Sequence, residues 1–173
     1  MPTKDRFAGA MPAGATSEEL QSTFCGKNVL FYIERSNNSN AVIYEANVGA
    51  DGKLVTEEPV KVYWILYARK PIVEEGLTMI ERNTAYGSKT SPLPAKGEGH
   101  FEIALSALPE KKIHVYQDEA GELHATTEIE GSEKELLHVF VENTSFMGIP
   151  KVKHIDIKGR SPDGNLSVER KMA

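Results

Sequence analysis

The chain has a single cysteine, Cys25, so no intramolecular disulfide framework can staple it. No stretch approaches the roughly 20 apolar residues that a membrane-spanning helix needs. The opening MPTKDRFAGAMPAGATSEEL carries charges and small residues but no hydrophobic run of signal-peptide length. These absences set the expectation of a cytoplasmic chain with no membrane association. Chemical signatures are missing too. There is no nucleophile elbow, phosphate loop, zinc-protease helix, EF-hand loop or Cys-x-x-Cys pair. Gly97-Glu98-Gly99 is too short for a phosphate loop and lacks its lysine. No cofactor is implied, and no catalytic group identifies itself.

What is present describes an ordinary globular chain. Hydrophobic residues make up 40% and charged residues 26% of 173, enough for one domain with a real core. The net charge of -5 argues against general nucleic-acid binding. The charge is uneven: Val115 to Glu142 holds eight acidic residues and one lysine, and Lys151 to Lys171 six basic and three acidic. The basic end lacks aromatic residues, so no stacking platform accompanies its lysines and arginines.

Residues 1–26 are Ala/Gly/Pro-rich at first and read as a flexible segment, with Thr16 and Glu19 spaced as a capping box for one short helix. Residues 27–173 then form one domain. Short runs of branched and aromatic residues recur between turn signals. They predict a mainly β fold, an antiparallel barrel or sandwich of about eight to nine strands. MIERNTAY, with Thr78 and Glu81 as a second capping box, reads as a short helix over 79–86, or else as a strand through Leu77, Met79 and Glu81. Ser88 to Gly99 reads as a loop.

Three hairpins can be given a register. In FYIERSNNSNAVIYEANV, Ser36 to Ser39 form the loop and Arg35 pairs with Asn40. Phe31, Ile33, Arg35, Val42, Tyr44, Ala46 and Val48 then share one face, and Tyr32, Glu34, Ala41, Ile43 and Glu45 the other. Apolar residues on both faces imply that both are covered, or that one lines a cavity. A three-residue loop closed by Gly121 pairs Asp118 with Glu122. His114, Tyr116, His124 and Thr126 then share the polar face. His114 and His124 sit on a diagonal there, roughly 7 Å or more between β-carbons. A metal would need a third ligand and closer side chains, so no metal is expected. At the last hairpin, a two-residue Asp163-Gly164 turn groups Leu166, Val168 and Met172 with Ile155 and Ile157.

The candidate site follows from the first hairpin. Arg35 offers a planar donor fork suited to a carboxylate or phosphate, or else caps the core with its stem buried. Asn37 and Asn40 flank it with mixed donors and acceptors. Tyr44 and Trp64 supply pocket walls or core packing, and Glu45, Glu81, Arg82 and Tyr86 complete the set.

The FYI-x-RS-x-N-x-N hairpin, Tyr44-Glu45, Tyr63-Trp64, and Glu81-Arg82 with Ala85-Tyr86-Gly87 carry a resemblance. Across Asn28 to Glu169 the chain resembles DUF4833, a family of small bacterial and protist proteins of unknown function. The resemblance brings no activity. Its bacterial members look secreted, a location that does not transfer to this chain.

Three functional readings are therefore carried forward. The first is a binding module near the first hairpin for a small anionic or peptide-like ligand. The second is an enzyme using Glu45 and Glu81 as acid and base with Arg35. The third is an interaction domain, including a homodimer through an edge strand such as NLSVERKM.

Overall fold

In a computed structural model the described residues are 6–7, 10, 12, 15–36, 40–78 and 87–172. Helix α1 (Ser17–Phe24) starts at the capping box read from sequence: the Thr16 hydroxyl accepts from the Glu19 amide, and the Glu19 carboxylate accepts from the Thr16 amide. The strands are β1 (Val29–Arg35), β2 (Ala41–Ala46), β3 (Val60–Leu66), β4 (Val73–Gly76), β5 (Ser88–Pro92) and β6 (His100–Leu105). They continue with β7 (Leu108–Gln117), β8 (Leu123–Ile129), β9 (Ser132–Phe146), β10 (Ile149–Arg160) and β11 (Leu166–Met172). The helix predicted over 79–86 lies outside the described residues.

Nine strands follow one another in the order β4-β3-β2-β1-β9-β8-β7-β6-β5, curling into a half-barrel, and β10 joins β9 to β11 off this path. The fold is mainly β, as read, but the sheet is mixed rather than antiparallel. β1 runs parallel to β9, with Tyr32 opposite His138 and Arg35 opposite Val141. Alternation within a strand reports its buried face and says nothing of the direction of a distant partner. The segment read as a loop from Ser88 contains β5 and then a 3-10 turn, Pro94–Lys96. β4 and β5 end the path and are exposed throughout, so neither has an apolar face to betray it.

The curl wraps one core. Phe31, Ile33, Val42 and Tyr44 from the β1–β4 wing meet Ile103, Ile113, Val115 and Ala125 from the β5–β8 wing. The opening hairpin is covered on its other face as well. Tyr32, Ala41, Ile43, Ile65 and Tyr67 pack beneath Phe7, Ala10, Leu20 and Phe24. Phe7 meets Phe24 edge-on at 5.3 Å and Tyr32 at 5.7 Å. Burying one such ring stabilises by about 1.5–3 kcal/mol. Arg6 ties this segment down, donating to Glu135 at 2.8 Å and to the Leu30 carbonyl at 3.0 Å. The segment read as flexible thus contributes buried side chains to the fold.

The wings meet on β9. Residues 132–135 pair with β8, residues 138–141 pair with β1, and β10 runs opposite from 135 to 146. One edge of β9 therefore serves β8 and then β1. Between them Leu137 is an extra residue, since Leu136 faces Gly159 and His138 faces Lys158. The bulge bends the strand where its partner changes. Gly159 sits at the bend, and a β-carbon there would lie 2.7 Å from the Glu135 carbonyl oxygen and run into the Ile129 side chain.

The registers of the first two hairpins agree with the sequence reading: Glu34 faces Ala41, and the Asp118 amide donates to the Glu122 carbonyl, with Gly121 at φ 85°. The last hairpin does not. Arg160 faces Leu166 and Ile157 faces Glu169, one residue out of the expected register. Gly164, at φ 93°, closes a three-residue loop, and the Asp163 carboxylate accepts from the Asn165 amide. Leu166, Val168 and Met172 consequently face away from Ile155 and Ile157. On that outer face the Arg170 guanidinium grips Asp156 at 2.8 and 3.0 Å and holds its carboxyl below the usual range.

The parallel pairing also buries a histidine. The His138 ring lies tilted against Tyr32 at 4.5 Å, and its Nε2 lies 2.9 Å from Glu34 Oε1, with both His138 and Glu34 side chains at most 3% exposed. Burial lowers the His138 pKa, against an opposing pull from Glu34.

Two outcomes follow. Gly159→Ala should destabilise the protein by about 1–3 kcal/mol, read from its denaturant midpoint, because backbone must move to admit the methyl group. For His138 the folded state favours the neutral ring, so below about pH 6.5 the unfolded chain binds the extra proton. Stability should be full above that pH and fall as acid is added. His138→Gln should flatten the slope of melting midpoint against pH over this window.

Candidate functional site

The residues proposed from the first hairpin are distributed over both faces of the β1–β4 wing. Tyr44 is fully buried and stacks on Phe31 at 4.6 Å and 11° between ring planes. Trp64 packs against the same inner core. Glu45 lies on the opposite face, accepting from the Tyr63 hydroxyl at 3.0 Å. Asn40 Oδ1 accepts from the Ala68 amide, which closes the chain after β3. Arg35 is half-buried at the end of β1. Tyr44 and Glu45 are therefore not brought to one concavity. Asn37, Glu81, Arg82 and Tyr86 lie outside the described residues.

A groove of about 880 Å³ lies instead on the outer face of the β5–β8 wing. Its floor grows from the hairpin whose polar face is legible in sequence. His100, Tyr116 and His124 are direct neighbours across β6, β7 and β8, and His114 precedes Tyr116 by two residues on the same face. Their rings form a ladder. Tyr116 stacks on His124 at 4.8 Å, on His114 at 4.4 Å and on His100 at 5.1 Å, with planes within 26° of parallel. His100 Nδ1 and His114 Nε2 share a hydrogen bond of 2.9 Å. Because the rings face one another along the ladder, their edges point outward. Of these rings His114, Tyr116 and His124 line the groove, and His100 stands beside it against His114.

The walls are short turns. Leu93 and Lys96 come from the 3-10 turn, Ser161 and Pro162 from the β10–β11 loop. Lys112, Lys134 and Arg160 bring further positive charge, and Glu102, Glu133 and Glu135 negative charge. Glu135 is engaged by Arg6, and Glu133 accepts from the Thr126 hydroxyl at 2.8 Å. Arg160 donates to the Gly164 and Arg6 carbonyls, holding the loop and the N-terminal segment. A second cavity of about 430 Å³ shares His124, Glu135 and Arg160 and reaches Arg6, Phe7 and Lys27. At the end of the ladder His124 Nε2 lies 2.8 Å from Asp118 Oδ2, and its Nδ1 3.6 Å from Glu135 Oε2. The His124 contact holds the Asp118 carboxyl below its ordinary range.

Sequence reasoning found three of the four rings of the ladder. His114, Tyr116 and His124 fell on one face once Gly121 fixed the register. His100 joins them only through the β6–β7 pairing, and Glu135 and Arg160 only through β9. No local signal announces either.

The chain belongs to the family described as Domain of unknown function (DUF4833), whose model matches residues 31–171. No curated protein and no solved structure matches it.

Partial burial, then the neighbouring His100 and Lys96, push the His114 pKa down. In an NMR titration His114 should therefore lose its proton below the ordinary imidazole value of about 6.5. His100→Asn should move that midpoint upward by removing one repelling charge.

Proposed function

We propose that the chain is a binding module for a small anionic ligand, received in the groove on the outer face of β6–β9. The observation that carries this reading is the ladder of ring edges along the floor of that groove. About 880 Å³ is within the size range of small-molecule sites. Imidazole and phenol edges donate and accept hydrogen bonds but offer no free ring face in mid-ladder, which favours an oxygen-rich ligand over a flat aromatic one. Lys96, Lys112, Lys134 and Arg160 favour a carboxylate or phosphate among those oxygens. The reading keeps the anionic ligand expected from sequence and moves it away from Arg35.

Thermal melting against inorganic phosphate, citrate and glucuronate tests it. At least one of them should raise the midpoint. The double variant Tyr116→Phe with Lys112→Glu, which keeps the ring stack but removes one hydroxyl and reverses one charge, should weaken that ligand by about tenfold. Arg35→Ala should leave its affinity unchanged. Loss of binding in the Arg35 variant alone would return the site to the first hairpin, and no effect of any anion would reject the groove.

A further inference from the structure

We propose that the tip of the β9–β10 ribbon is a docking finger for an anionic lipid surface. β1 leaves β9 at Val141, and β11 leaves β10 at His154. Beyond those points β9 and β10 pair only with each other among the described residues. Every side chain described from 144 to 153 on this ribbon is exposed. A bare ribbon would ordinarily be polar, yet its end carries Phe146, Met147 and Ile149 at 62, 86 and 63% exposure.

The turn itself argues that this apolar end is specified. Met147 and Gly148 form a two-residue connection with φ 51° and 79°. Such turns favour Asn, Asp or Gly, which tolerate the left-handed region. Methionine there places a long apolar side chain at the outermost point against its backbone preference. The connection also leaves no slack, so the tip is held forward by a hydrogen-bonded ladder.

Charge selects the occupant. Lys151 lies over the Phe146 ring at 5.5 Å, and Lys153 follows on the same strand. At about 3.3 Å per residue, the Lys151 α-carbon lies roughly 7 Å behind that of Ile149, and its amine reaches forward to the Phe146 ring. That reach keeps the Lys151 amine at the shoulder of the apolar tip, where headgroups would meet it when the apolar side chains sink by roughly 5–10 Å. The nearest carboxylate on the ribbon, Glu142, stands further back, opposite His154. An exposed apolar end backed by Lys151 and Lys153 on one strand fits a deformable anionic surface. Among the described residues no helix is long and apolar enough to cross a membrane.

Co-sedimentation of the full chain with vesicles decides the matter. Phosphatidylcholine vesicles containing phosphatidylserine should capture the protein, and phosphatidylcholine alone should capture much less. Raised salt should weaken capture. Phe146→Ser with Met147→Ser, and separately Lys151→Glu with Lys153→Glu, should each reduce partitioning by about tenfold. Melting midpoints close to wild type would show that both variants are folded, as substitutions at exposed positions should be. Failure to sediment with the anionic vesicles, or equal capture of the variants, would overturn the proposal. So would a dimer in light scattering that the serine variant dissolves, since the tip would then serve a second copy.

Discussion

The constraint on which this fold rests is that one edge of β9 must serve two strands. β8 takes its first residues and β1 its middle, while β10 follows along the other edge. A straight strand would lay β8 and β1 end to end in one flat layer. The Leu137 bulge turns the strand instead, and the bare α-carbon of Gly159 lets β10 follow the turn at close range. The curl, the single inner core and the outward position of Leu137 and His138 all follow from that bend.

The bend also locates the groove. It turns the outer face of β6–β8 toward the N-terminal segment, where Arg6 reaches Glu135 and Arg160 reaches back to the Arg6 carbonyl. Those contacts place a cationic shoulder beside the ring ladder. They couple it to the packing of Phe7 on the other wing, so the floor of the groove and the cover of the first hairpin share one anchor.

How much of this could be read from the sequence depended on distance along the chain. Local chemistry was legible: the Thr16 capping box, the register around Gly121, and the two covered faces of the first hairpin. Elements without an apolar face were not; β4 and β5 are exposed edge strands. The Pro162-Asp163-Gly164 turn misled because grouping every apolar residue inward looked coherent, whereas Gly164 and the Asp163 carboxylate close a longer loop that turns Leu166 and Val168 outward. The parallel partnership of β1 with β9 leaves no mark on either strand. Three of the four rings of the ladder were therefore visible, through the hairpin that carries them.

The same partnership bears on how the chain is made. β1 emerges from the ribosome early, yet Tyr32 finds His138 only after β2 through β8 have been synthesised. Until then the β1–β3 wing can pair with itself but not close its end, and its inner face waits for the opposite wing. Contacts of such long sequence separation slow folding and lengthen the life of half-covered apolar sheets. The N-terminal segment offsets part of this exposure. Phe7, Leu20 and Phe24 are available as soon as β3 is complete, so they can shield one face of the nascent wing before its final neighbour exists.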